Sequence, residues 1–532
     1  GSAGAVLDPV VAVRTRITLE AGHSAIIDIV SGVGESRATA LALIEKYRDK
    51  GIADRVSRMA WVHGQILLRQ IHATEVEAQL YTGLADSILY ANAQLRAESS
   101  VLVQNSKGQS GLWGYTLSGD LPILLLRIGS TDNIELVRQL LRAHTYWNLK
   151  GLLVDLVIWN EDQAGYRQLL HDQIMGLIAE GKGSLLGKPG GIFVLSADRI
   201  VEEDRILMQA IARVIISGDK DSLAQLVKGR IAPVNTIPYL ALSEGPKVSR
   251  TESVQPAPRA DLVLFNGLGG FTPDGREYVI ITAQGQATPA PWANVLANPQ
   301  FGTVVSETGL AFTWSENAHE HRLTPWSNDP VSDSRGEAFY LRDNDSGYFW
   351  SPAPRPCRGK TPYTTRHGFG YSVFEHTERG IKSELLVHVD VDAPVKCMRL
   401  TVKNESSITR RLSATGYVAW VLGDLPEKTR MHIATEVDQM SGTVFACNSY
   451  NSEFPGRTAF FGTDDIIKSV SCDRAEFLGR NGSLDNPAAM GRSRLSGRNG
   501  VGLDPCAVIQ VPFTLAAGEE RVITFRLGVG KS

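Results

Sequence analysis

Met398, Leu400 and Val402 alternate with Arg399, Thr401 and Lys403. A repeat of two is the mark of a strand with one buried face. The cluster Asn404-Glu405-Ser406-Ser407 then ends it. Short apolar runs of this kind, broken by Gly, Pro and Asn, recur over 261–532. They predict a large antiparallel two-sheet sandwich. One example is the stretch around Pro273-Asp274-Gly275, a turn between two strands.

Upstream the period lengthens. Residues 38–50 are rich in helix formers. Over 52–72, Ile52, Val56, Met59, Ala60, Leu67 and Ile71 return at the spacing of one helical face. His63 interrupts that face and reads as a partly buried, hydrogen-bonded histidine. Residues 75–95 continue the helical pattern. From Asp120 the pattern alternates: strands at 121–128, 152–159 and 192–195, and helices at 133–147, 162–180 and 202–217. That order predicts a small parallel α/β unit. The stretch 243–259 is polar and Pro-rich and reads as an extended linker. The expected organisation is therefore a helical region at 37–119, the α/β unit at 120–242, a linker at 243–260 and the sandwich at 261–532.

The two ends of the chain resemble each other. Residues 1–36 align without gaps on 497–532, with about 14 of the 36 positions identical. Shared marks are Leu7-Asp8-Pro9 with Leu503-Asp504-Pro505, and Ala21-Gly22 with Ala517-Gly518. Each copy reads as two apolar strands joined at the Ala-Gly turn. Residues 1–36 are thus expected to be the closing strands of an upstream sandwich.

Charge and composition narrow the function. A formal net charge of −3 gives no basic surface for nucleic acid. The apolar runs are too short to span a bilayer. The five cysteines are odd in number and show no metal-knuckle spacing, so free thiols are expected, and no metal site.

Candidate chemistry gathers in two places. In the α/β unit, Asn160, Glu161, Asp162, Ser196 and Asp198 fall after strands, where open sheets bind ligands. They serve equally as helix caps. The Gly-rich segment 108–120 holds Trp113 and Tyr115, either as a sugar-stacking loop or as a buried connection. In the sandwich, Trp292, Trp314, Trp326 and Trp350 lie among Asn294, Glu316, His319 and Glu320. Aromatic rings stack on sugar faces and carboxylates bind sugar hydroxyls. Glu307, Glu316, Glu320, Asp329 and Asp333 supply acids, but no pair stands out for glycoside cleavage.

Several strings carry a resemblance. REYVI (276–280), PWANVLANPQFG (291–302), TWSENA (313–318), YFWSP (348–352) and RHGFGYS (366–372) resemble the N-terminal sandwich of the cellobiose phosphorylase family, glycoside hydrolase family 94. NGLGGFTPDGREYVI, NAHEHRLTPWSNDPV, EFLGRNG and GLDPC are more similar to cyclic β-1,2-glucan synthases. So are GQSGLWGYTLSGDLPILLLRI and GLLVDLVIWNEDQAGYRQLL. The resemblance covers essentially the whole chain.

It implies an α+β multidomain protein whose large antiparallel β-sandwich is a galactose-mutarotase-like supersandwich. It implies a parent enzyme at the cytoplasmic side of a bacterial inner membrane. That parent uses UDP-glucose and inorganic phosphate in other domains, with a general acid in an (α/α)6 barrel beyond Ser532. No catalytic residue and no cofactor is therefore assigned to this chain. Its expected partners are β-1,2-glucan and the remaining synthase domains. The expected substrate-binding residues are Arg366, which the resemblance puts on a loop, with His367, Trp292, Trp314, Glu316 and Trp350. The expected role is to position glucan. The alternatives are a self-standing carbohydrate-binding module and an independent glycosidase.

Overall fold

The computed structural model describes every residue except 1–3, 6–7, 91, 163–168, 181–184, 219–222, 225–236, 243–260, 330, 334–335, 466–468 and 532. The predicted linker lies outside the described residues.

The helical pattern becomes α1 (Arg37–Tyr47), α2 (Lys50–Gln70), α3 (Glu75–Leu89) and α4 (Ser99–Gln104). A capping box opens α3: Thr74 accepts from the Glu77 amide and Glu77 accepts from the Thr74 amide, satisfying two otherwise orphaned donors. The face foreseen for α2 is buried only at its end, at Leu67 and Ile71. Val56, Met59 and Trp61 stay exposed, and so does His63, contrary to the partly buried position expected for it. No residue of α1 is buried.

The α/β unit runs β1 (Ile123–Ile128), α5 (Ile134–Leu149), β2 (Asp155–Asn160), α6 (Leu169–Glu180), β3 (Ile192–Ser196), α7 (Glu202–Ile211) and β4 (Val214–Ser217). Its sheet order is β3-β2-β1-β4, all parallel. The helix expected over 202–217 therefore breaks at Ile211. Val214, Ile215 and Ile216 are β-branched, and they pair beside Leu124–Leu126. Both faces of β1 are buried, as parallel sheets require.

The sandwich strands are β5 (Gly269–Phe271), β6 (Glu277–Thr282), β7 (Ala293–Asn298), β8 (Phe301–Ser306), β9 (Ala311–Ser315) and β10 (Glu337–Asp343). Then come β11 (Phe349–Trp350), β12 (Tyr363–Gly368), β13 (Tyr371–Glu378), β14 (Ile381–Val389), β15 (Val395–Asn404) and β16 (Arg410–Ala419). The last are β17 (Ile433–Val437), β18 (Val444–Asn448), β19 (Arg457–Thr463), β20 (Ser469–Asp473), β21 (Pro505–Leu515) and β22 (Glu520–Lys531). One sheet has ten strands in the order β17-β18-β19-β22-β15-β14-β13-β12-β6-β5. The facing one has five, β11-β10-β16-β21-β20, and β7-β8-β9 form a third. Met398, Leu400 and Val402 of β15 enter the shared core, as their alternation predicts. There they meet Phe339, Leu412, Val511 and Phe525. Cutting such a side chain to Ala typically costs about 2–5 kcal/mol.

Hydrogen bonds from the helical region help to bind it and the α/β unit to the sandwich. The buried Arg96 guanidinium donates to the Met431 and Ala210 carbonyls, each at 2.6 Å. Ser449 Oγ donates to the Leu102 carbonyl at 3.2 Å. All five cysteines are free thiols, and no helix among the described residues is long and apolar enough to cross a membrane. Residues 9–34 form no strand and are exposed almost throughout.

Candidate functional site

The hairpins of the three-stranded sheet put Phe312 and Trp314, two residues apart on β9, on one face. Their rings stack at 5.3 Å and 28°. Trp326, from the segment after β9, leans on Phe312 at 5.2 Å and 34°. Gly302 lies flat under Trp314, where a Cβ would come within 2.3 Å of the indole. The result is a row of three aromatic rings, of which Trp326 is 38% exposed.

One cavity adjoins Phe312 and Trp326 of this row, and two more lie next to that cavity. The first, of about 260 Å³, is lined by Val304, Phe312, Trp326, Asp329 and Asp333. A second, of about 440 Å³, holds Thr288, Glu307, Asp333, Arg355, Arg358 and Asp485. The third, of about 430 Å³, holds Asp333, Glu427, Arg430, Arg474 and Asp504. Ser332 and Asp333 line all three, so the three hollows flank Asp333 and make up a groove of neighbouring cavities around it.

Asp333 Oδ2 accepts from Ser306 Oγ at 2.8 Å and from Thr308 Oγ1. Glu307 accepts from the Trp292 amide at 2.8 Å and from Thr288 Oγ1. Burial pushes the Glu307 carboxyl above the usual range, and these two donors offset only part of that. Arg358 donates to the Thr282 and Ala283 carbonyls at 2.7 and 2.8 Å, which holds it at the groove wall. Arg355 is 60% exposed at its side chain and lies 3.9 Å from Asp485. The groove thus offers flat apolar rings, carboxylate acceptors and guanidinium donors side by side.

The expected site residues do not all converge here. Trp314 belongs to the row. Trp292 stands at the groove edge by its backbone, while its ring meets Tyr278 edge-on at 5.9 Å. Trp350 is a correction. It is 0% exposed in the sandwich core, and a ring enclosed by protein cannot stack on a sugar. Glu316 makes a two-pronged ion pair with Arg457, at 2.6 and 3.1 Å. That bond holds its carboxyl below the usual range, and it lines none of the three cavities.

Arg366 lies on strand β12, not on a loop. Its guanidinium meets Glu277 at 2.8 Å, Glu375 at 3.3 Å and Glu384 at 3.9 Å. These carboxylates belong to β6, β13 and β14, so Arg366 ties four neighbouring strands together. His367 bonds Ser372 Oγ and the Trp292 carbonyl, at 2.9 and 3.1 Å. Burial drives it down to about 4, with the Trp292 carbonyl offsetting part of the drop. In the α/β unit, Asn160 accepts from the Asp162 amide, Glu161 pairs with Arg127, and Ser196 makes no side-chain cap bond. Trp113 is 63% exposed, while Tyr115 donates to Asp204.

Arg355, Arg358, Arg474 and Asp485 had no local pattern to mark them. Arg355, Arg358 and Asp485 come from loops and Arg474 from the start of a short helix, far apart in the chain, and only the Pro-rich string around Arg355 and Arg358 hints at a fixed loop. No cluster of His, Cys, Asp and Glu able to hold a metal ion occurs among the described residues.

The two large facing sheets give this chain the architecture of a supersandwich. The family model described as "Glycosyl hydrolase 94, supersandwich domain" matches residues 1–50 and 276–532. The chain belongs to this glycosyl hydrolase 94 family. It is 34% identical over 99% of its length to the cyclic beta-(1,2)-glucan synthase NdvB of Rhizobium meliloti, covering 19% of that protein. It is 28% identical to the N,N'-diacetylchitobiose phosphorylase of Vibrio proteolyticus, over 49% of this chain and 33% of the phosphorylase. A galactose mutarotase related enzyme from Lactobacillus acidophilus is similar over 45% of this chain and 98% of its own, at 10% identity and a TM-score of 0.26. The chain spans about a fifth of the synthase and a third of the phosphorylase.

Proposed function

We propose that this chain holds β-1,2-glucan in the groove beside Trp326 and positions it for reacting groups supplied by other domains of a glucan synthase. The observation that carries this is the grouping of three cavities around Asp333, one of them lined by Phe312 and Trp326 of the Trp314–Phe312–Trp326 row. A glucan presents apolar ring faces and hydroxyl edges in alternation, and the groove presents rings and charged acceptors and donors in the same way. Asp333 Oδ1 is the acceptor a sugar hydroxyl would meet. The match to the synthase over nearly the whole chain supports β-1,2-glucan as the polymer. UDP-glucose and inorganic phosphate belong, on this reading, to other domains, and the whole assembly to the cytoplasmic face of the inner membrane.

Titration calorimetry with linear β-1,2-glucan oligosaccharides tests it. Trp326→Ala and Asp333→Asn should each weaken binding about tenfold, about 1.4 kcal/mol, with unchanged melting temperature. Unaltered affinity in both variants rejects the groove. Phosphate-dependent release of glucose 1-phosphate by the chain alone rejects the division of labour.

A further inference from the structure

Residues 9–34 display an apolar surface that no described residue covers. Val11, Val13, Ile29 and Val33 are 92, 91, 88 and 91% exposed. Contiguous apolar exposure marks a surface meant to be covered.

The aligned C-terminal copy has its apolar positions buried. His23 N donates to the Glu20 carbonyl at 3.1 Å, with Gly22 at φ +82°. At the aligned positions Glu519 N donates to the Ala516 carbonyl, also at 3.1 Å, with Gly518 at φ +80°. The same turn is built twice. In the second copy it joins β21 to β22, and those strands do not pair with each other. β21 lies between β16 and β20, whereas β22 lies between β15 and β19 of the facing sheet. The turn therefore carries the chain across the core from one sheet to the other. The gapless alignment puts Val13 on Ile509, Leu19 on Leu515, Ile27 on Ile523, Ile29 on Phe525 and Val33 on Val529. These partners are 0, 0, 0, 0 and 5% exposed. Val30 falls on Arg526, whose side chain is 42% exposed. The family model also matches both regions.

We infer that residues 9–34 are a strand pair that closes a second two-sheet sandwich of this same class. Residues 9–19 fill a lane in one of its sheets, and residues 24–33 fill a lane in the facing sheet. The receiver is not a folded copy of this chain's own sandwich. There both lanes are already filled by β21 and β22, each hydrogen-bonded on two sides.

Amide hydrogen exchange on the intact polypeptide that encodes these residues, run beside the 532-residue chain, tests the inference. In the intact polypeptide, amides of 10–19 and 25–33 should exchange as slowly as those of β21 and β22. In the 532-residue chain they should exchange at least a hundredfold faster. Ile29→Asp should abolish the protection, while Val30→Arg should leave it. Unstructured-chain rates in both proteins overturn the inference, and so does protection that appears in the 532-residue chain only on raising its concentration. Loss of protection in Val30→Arg but not in Ile29→Asp overturns the register.

Discussion

Lys396 Nζ lies 2.8 Å from Glu337 Oε2, and both side chains are 2% exposed. Lys396 comes from the ten-stranded sheet and Glu337 from the five-stranded one. Thr303 of the three-stranded sheet accepts from Lys396 at 3.0 Å, and Thr313 of the same sheet donates to Glu337 at 2.5 Å. All three sheets thus meet at one buried ion pair. Removing one partner strands a charge away from water, whereas replacing both restores a neutral core. Lys396→Met should cost about 3–5 kcal/mol in urea unfolding, and adding Glu337→Leu should recover most of it. A neutral single variant would show that the pair does not hold the sheets together.

Two half-buried histidines contribute to the acid limit of stability. His367 sits at about 4. His432 is pushed down to about 3 by burial and by the charges of Arg96 and Arg213. In both, the folded form takes its proton later than the unfolded chain, which does so near 6.5. Stability is therefore full above pH 6.5 and falls as pH drops towards 4. Glu378 adds a later loss. Burial alone would raise its carboxyl, but His376 and the Lys360 and Thr361 amides outweigh that and hold it at about 2. Its contribution disappears between pH 4.5 and 2. The melting temperature should drop between pH 7.5 and 5, and His367→Gln should reduce that drop. A flat profile over this range would contradict the lowered proton affinity of both rings.

Glu307 carries the opposite sign. Its folded carboxyl lies above the unfolded value, so its contribution declines as pH rises above 4.5. Glu307→Gln should raise stability at pH 8 more than at pH 4.5 while leaving glucan affinity within a factor of two. If the chain hydrolyses glucan and this variant abolishes hydrolysis, Glu307 is a reacting acid and the positioning role falls.

Arg366 neutralises a carboxylate ladder. Without it, Glu277, Glu375 and Glu384 repel one another across neighbouring strands. Arg366→Ala should destabilise the sandwich by about 1 kcal/mol, with the loss shrinking at high salt. Weaker glucan binding at unchanged stability would instead make Arg366 a ligand contact.

The sequence by itself determined element type wherever a period was strong and local. The two-residue repeat of Met398–Lys403 gave a strand with its buried face on the foreseen side, and the spacing over 52–72 gave α2. The family was legible because its strings are local too. Three outcomes belonged to tertiary structure alone. Val214–Ser217 is a strand because β1 offers it an open edge, which no helical spacing can reveal. Trp350 is a core residue and Trp326 a surface one, although nothing in their neighbours distinguishes them, because burial depends on which sheet lies opposite. The groove itself joins residues from Thr288 to Asp504, and a site assembled across so much chain exists only once the sheets have stacked.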